Sequence, residues 1–323
     1  IDTFVLKNSD DKIGTYLRLS NFKGGMIVQE QKVLEAIIDP TVKYLYHTDQ
    51  SNFDKIPGSP IAYWASENLI NDFERMTQFS SVAQPRAGMI TGNNKLFLKM
   101  WQEVSDKKIG INISSREDAK LSLKKWFPYS KGGSYKKWYG NETYVVNWEN
   151  DGQYMRNLKD KRGKIPAHAF NLNFIFKPNI TWNALTSSLF SARVNLEGHL
   201  YDASGSFANV NEKDIYYIAA FLNSKISNYI LKVLNPTINF QKGNIANLPF
   251  EFKNKKIITK LGRENTVLSK QDWDAFETSW DFQKSPLLTQ NAASLHQAYT
   301  NWSNESLTRF NQLKSNEEEL NRI

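Results

Sequence analysis

The sequence predicts an α+β fold, with short strands grouped in the first two thirds and helices gathered at the end. Three observations carry that prediction. Between residues 82 and 195 the apolar runs are short and split by Gly, Asn and Pro, as strands between turns are. Residues 211–234 place apolar side chains at 215, 218, 219, 222, 226, 230 and 233, which is a helical stripe. Beyond residue 253 the spacing is again helical, and strands first with helices last is the order of α+β chains.

Taken in order, residues 15–19 (TYLRL) read as a strand and residues 29–38 as a helix ended by Pro40. The loop 49–60 follows, broken by Pro57, Gly58 and Pro60. Apolar residues at 69, 70, 73 and 76 give 68–79 a short helical face. Strands are expected at 96–98, 143–148 and 173–176. Asn211 and Asp214 form a capping pair for the helix 211–234, which Pro236 stops. In 235–249, Ile238, Phe240, Ile245 and Leu248 interleave with polar residues as a strand would, around a turn at Lys242 and Gly243. Ser269 is the expected N-cap of a helix carrying Trp273, Phe276 and Trp280 on one face. The last helix, 292–323, shows an interrupted stripe from Leu295 through Tyr299, Trp302, Phe310 and Leu313 to Leu320. Glu317, Glu318 and Glu319 read as its solvated face.

Charge is the compositional signal. The 323 residues hold 41 Lys and Arg against 33 Asp and Glu, a net +8. Between residues 120 and 164 there are eleven basic against four acidic residues, a surplus of seven. Charge of one sign gathered in one window is an electrostatic footprint for a phosphate backbone or an acidic membrane. Cysteine is absent, which excludes disulfides, thiolate metal sites and Cys nucleophiles and agrees with a cytoplasmic home. The mean hydropathy is −0.54, and no apolar run approaches the roughly 20 residues of a membrane span. Ile1 in place of an initiator Met, and a helical pattern still running at residues 320–323, read as a piece of a longer chain.

Catalytic patterns are missing. There is no Walker-type phosphate loop and no G-x-G-x-x-G after a strand. His47, His168, His199 and His296 are scattered, with no i,i+4 pair for a metal. Ser204-Gly205-Ser206 reads as a turn rather than a nucleophile elbow. No catalytic or metal-binding residue is assigned.

Four segments suit a nucleic-acid surface. The densest lies in residues 125–150, KWFPYSKGGSYKKWYGNETYVVNWEN. Here Lys131, Lys136 and Lys137 offer phosphate contacts around a Gly132-Gly133 turn, and Trp138 and Tyr139 offer rings to stack on. The same pattern fits a β-hairpin with core aromatics and a solvated lysine face. Residues 86–97 add Arg86, Thr91 and a Gly92 turn, with the amides of Asn93 and Asn94 able to meet bases or phosphates. Residues 180–193 add Trp182 and Arg193. That arginine either forks onto guanine or is buried against a carboxylate such as Asp202. Residues 235–249 add Asn239, Gln241 and Lys242 in an amide-rich stretch.

The block 125–133 through 138–140 and NWENDG at 147–152 resembles the PglX family, the adenine-specific DNA methyltransferases of BREX (bacteriophage exclusion) defence systems. IPGSPIAYW at 56–64, TGN at 91–93, ITW at 180–182, FSAR at 190–193, FLNSK at 221–225, LNPTINFQ at 234–241 and IANLP at 245–249 are similar to the same family, in order, over most of the chain. The resemblance implies a mixed and antiparallel-sheet target recognition domain with a long helix over 61–252. Residues 1–60 would be the tail of, or connection from, an upstream methyltransferase core, and 253–323 a helical C-terminal region. The family's Asn-Pro-Pro-Tyr motif and glycine-bearing S-adenosylmethionine loop are absent, since Asn235-Pro236-Thr237 lacks the second proline and the aromatic. The cofactor therefore belongs to the full-length enzyme, and this chain alone is expected to bind DNA and to methylate nothing. Implied partners are double-stranded DNA, other BREX proteins and phage DNA-mimic inhibitors, with no membrane. The alternative is a protein-interaction module that assembles the defence complex.

Overall fold

A computed structural model describes residues 3–5, 13–196 and 198–323. The fold is α+β, with short, mostly antiparallel strands and a largely helical C-terminal region. The chain divides into two compact units. One comprises Ile1–Gln78 with Lys232–Pro236 and Pro249–Glu251, the other Phe79–Leu231, Thr237–Leu248 and Phe252–Ile323.

In the first unit the strands Thr3–Val5, Ile13–Leu17 and Leu45–Asp49 form an antiparallel sheet. Val33 and Ala36 of the helix Gly25–Ile38 pack with Leu17, Leu19 and Leu45. Tyr16 stacks on Tyr63 at 4.8 Å, and the Tyr63 hydroxyl donates to Leu17 O. Ser66 caps the helix Glu67–Arg75 by accepting from Leu69 N. The strand Thr77–Gln78 then pairs with Pro249–Phe250.

The second unit holds two four-stranded sheets. In one, Ala192–Asn195, Asn179–Trp182, Phe207–Val210 and Ala83–Arg86 follow one another in antiparallel register. In the other the order is Leu200–Tyr201, Trp126–Ser130, Tyr144–Asn147 and Leu98–Met100. The block 125–150 is thus a hairpin in which Trp126 opposes Asn147 and Tyr129 opposes Tyr144. Phe127, Tyr129, Val146 and Trp148 are buried in one core with Phe97, Phe176 and Leu200.

Several expectations change, each for a local reason. The run 211–234 is two helices, Ile215–Asn223 and Lys225–Leu234. Ser224 is extended (ψ 159°) and its hydroxyl accepts from Ser227 N, so a strong N-cap interrupts a stripe whose period runs on regardless. Ser269 is interior to the helix Lys255–Asp274 and not a cap. Gly262 lets that helix approach Ile215–Asn223, because a Cβ there would stand 2.3 Å from Tyr216 O. Residues 94–97 are a helical turn capped by Asn93, with the strand starting at Leu98. Residues 172–174 form a 3-10 turn in place of a strand at 173–176. In 235–249 the expected strand is instead a loop and the short helix Lys242–Ala246, with Phe240, Ile245 and Leu248 buried and Ile238 exposed. The last helix, Leu295–Leu320, starts at the Ser294 cap.

Candidate nucleic-acid interface

Backbone hydrogen bonds of the second unit string five segments into one edge. Ala203 N donates to Met89 O, and Asp202 N donates to Ser130 O. Ala184 N donates to Ser204 O, and Phe240 N donates to Ala184 O. The segments at 89–94, 130–133, 202–205, 183–186 and 238–240 are therefore neighbours. Asp202 fastens them: its carboxylate accepts from the Tyr129 hydroxyl (2.9 Å) and from Ser204 N (2.9 Å). Ser204 Oγ lies 2.9 Å from Lys131 O. Burial first, and Asp202 second, push the Tyr129 phenol far up, so it stays a donor at any ordinary pH.

Arg193 and Asn183 set the Gly132-Gly133 turn from within. Arg193 Nη2 donates to Asn183 Oδ1 (2.9 Å), and Asn183 Nδ2 donates to Gly133 O (2.7 Å). Arg193 is fully buried, and burial pushes its guanidinium down to about 10 while Glu142 opposes the shift. Gly132 and Gly133 have φ of 87° and 146°, where a side chain is strained. The guanine-fork reading of Arg193 gives way to this positioning one, and its partner is Asn183 rather than the carboxylate of Asp202.

Other expected contacts are also redirected by burial. Trp182 is inside, donating Nε1–H to Phe240 O (2.9 Å). Trp138 is inside as well, held by backbone bonds to Ala192 O and Val194 N and by Nε1–H to Glu317 Oε1 (2.7 Å). Neither ring presents a face for a base. Lys137 Nζ binds Glu317 Oε2 (2.8 Å), so Glu317 is no solvated residue but the anchor of the basic loop. Lys136 Nζ sits 5.9 Å from the Trp273 ring and Lys270 Nζ 5.0 Å from the Tyr139 ring. Residues 135–139 thus line a hollow of about 370 Å³ with Trp273, Arg309, Phe310 and Glu317. Thr91 is buried, its hydroxyl donating to Asn94 Oδ1 (2.5 Å). Arg86 bonds Asn171 and Gln84 and lies 3.7 Å over Phe174, outside the loop edge.

What remains exposed or half-exposed on the edge is a set of donors. Asn93 Oδ1 accepts from Leu96 N and Asn94 Oδ1 from the Thr91 hydroxyl, so each of these exposed side chains keeps its amide NH2 group as the donor. Lys95, Lys131 and Lys242 form no ion pair among the described residues. Asn239, Gln241 and Lys242 are exposed beside Leu185. Asn183, Ser204 and Lys95 join the edge without a signal in the sequence pattern. Only the hydrogen bonds reveal the first two, while Lys95 follows directly on Asn94.

No group of His, Asp and Glu among the described residues is placed to hold a metal ion, and no described helix is long and apolar enough to cross a membrane. Among the described residues the paired strands are antiparallel, except that Leu200–Tyr201 runs parallel to Tyr129 and Ser130.

No family model matches the chain. Curated relatives do. The adenine-specific methyltransferase PglX of Lacticaseibacillus casei (strain Zhang) is 42% identical over 325 residues, covering 96% of this chain and 26% of the relative. The adenine-specific methyltransferase BrxX of Escherichia coli O9:H4 (strain HS) is 36% identical over 281 residues, covering 86% of this chain and 22% of the relative. The chain spans about a quarter of the length of the curated relatives it matches. By sequence it belongs to the PglX/BrxX family of BREX adenine-specific methyltransferases.

Proposed function

We propose that the second unit is the DNA target recognition part of a BREX adenine-N6 DNA methyltransferase, with the catalytic residues and the S-adenosylmethionine site outside these residues. In the whole enzyme the methyl group would pass from S-adenosylmethionine to adenine, marking host DNA for phage defence. The observation that carries the reading is the edge of exposed or half-exposed amide and ammonium groups at Asn93, Asn94, Lys95, Lys131, Gln241 and Lys242, built on loops that the interior holds in place. Phosphate oxygens and the N7 and O6 atoms of purines are acceptors, and donors on preset loops match them. Gathering the loops onto packed sheets keeps the ordering cost of binding low.

The test is duplex binding at low salt. The chain is expected to bind, with a log–log salt slope of about −5 if about six phosphates are contacted. Lys131→Gln with Lys242→Gln should make the slope shallower by about 2. Absence of binding, or binding indifferent to salt, would sink the reading.

A second reading, a module that assembles the defence complex, has its own support. Tyr299, Leu307 and Phe310 of the helix Leu295–Leu320 are more than half exposed, and large exposed apolar groups favour a protein partner. Substituting all three with Ser separates the two. Lost assembly with unchanged DNA binding assigns the helix to partners, such as other BREX proteins. Phage DNA-mimic inhibitors would compete for the donor edge instead.

A further inference from the structure

We infer that the loop at residues 159–164, KDKRGK, is a preformed phosphate clamp that grips the duplex beside the recognised bases; the inference rests on the DNA-recognition reading. The loop is closed on itself. Asp160 N donates to Lys164 O (2.8 Å) and Gly163 N to Asp160 O (3.0 Å). The Asp160 carboxylate accepts from Arg162 N (2.8 Å) and Lys164 N (3.0 Å), which satisfies its Oδ1 inside the turn. Gly163 takes φ 74°, the left-handed position that lets the turn close.

Four cations project from this small frame: Lys159, Lys161, Arg162 and Lys164 are all exposed, and none forms an ion pair among the described residues. Against these four charges stands one carboxylate, Asp160, whose Oδ1 is engaged by backbone N–H groups, so the six residues carry a net +3 that repels itself at some cost in stability. An anion supplied from outside removes that cost.

The loop is tied to the donor edge. Ile90 and His168 exchange backbone hydrogen bonds of 2.9 and 2.8 Å, and a Cβ on Gly92 would stand 2.8 Å from Ala167 N. The segment 166–168 that leaves the clamp therefore lies against the 90–92 segment that leads to Asn93 and Asn94. A duplex seated on those amides would continue toward the clamp. Three of the four cations are lysines, point charges suited to phosphate oxygens, so the loop's contribution is to grip the backbone.

The experiment compares two charge-matched variants of this chain. One carries Gln at Lys159, Lys161, Arg162 and Lys164. The control carries Gln at Lys23, Lys43, Lys256 and Lys284, four exposed lysines elsewhere that form no ion pair among the described residues. Circular dichroism melts check that both stay folded. The clamp variant should flatten the log–log salt slope on duplex DNA by about 3 to 4, at about 0.9 per lost phosphate contact. The control should change it by less than about 1. Equal changes in both variants would mean diffuse charge and overturn the clamp, as would an unchanged slope in the first. Failure of the unmodified chain to bind duplex at all overturns the recognition reading and the clamp together, whereas salt-sensitive binding that ignores the clamp variant overturns the clamp alone.

Discussion

Arg193→Ala is expected to cost about 3–5 kcal/mol of stability, although it touches no exposed surface. The side chain is wholly buried, and its removal leaves a cavity beside the strand Ala192–Asn195. It also strips Asn183 Oδ1 of its donor and removes a positive charge near the buried Glu142 carboxylate, which keeps His199 at 2.6 Å. Each orphaned polar group costs about 1–3 kcal/mol. Relief of the burial that depresses the guanidinium works the other way, so the total falls short of the simple sum. Asn183 is then no longer fixed to hold Gly133 O, and the turn at Gly132-Gly133 loosens. Urea unfolding measures the stability, and duplex affinity measures the loop. A loss below about 1 kcal/mol would show that the network relaxes around the gap.

Much of the fold was legible because short-range chemistry dictates it. The hairpin strands at 126–130 and 144–147 announce themselves by dense β-formers, and the cap at Asn211 by its side-chain oxygen, which accepts from Lys213 N. What escaped were features set by distant partners. Ser224 breaks a helix that the apolar period continues across, and Ser269 looks like a cap only when the residues from 255 onward are ignored. At the candidate site, Lys131 and the Asn93-Asn94 pair were readable from residue type and turn chemistry. Trp138, Trp182 and Arg193 were not, because aromatic and guanidinium groups serve interiors and nucleic acids equally well. Only the partners Glu317, Phe240 O and Asn183 decide between the two. The acid that anchors the loop lies about 180 residues away in sequence, beyond any local pattern.

Glu317→Ala is the second large effect, expected at about 2–3 kcal/mol. One carboxylate accepts from Lys137 Nζ and Trp138 Nε1, and both charged side chains are under a third exposed (22% and 26%). The ion pair alone, partly screened by solvent, accounts for the smaller share. The larger share is the Trp138 indole N–H, buried with nothing to bond. Trp138→Phe removes that donor, so Glu317→Ala in the Trp138→Phe background should cost markedly less, with a coupling energy of about 1 kcal/mol or more in the double-mutant cycle. Hydrogen exchange should quicken at 135–139 and in the C-terminal end of the helix Leu295–Leu320, and not in the hairpin strands. Duplex affinity discriminates more sharply, because charge and order push it in opposite directions. Removing a carboxylate beside a basic loop strengthens attraction to a polyanion by electrostatics alone. If the loop must be held in place for the donor edge to keep its shape, Glu317→Ala instead weakens binding, against that trend. A gain in affinity would mean that residues 135–139 contribute charge but no order.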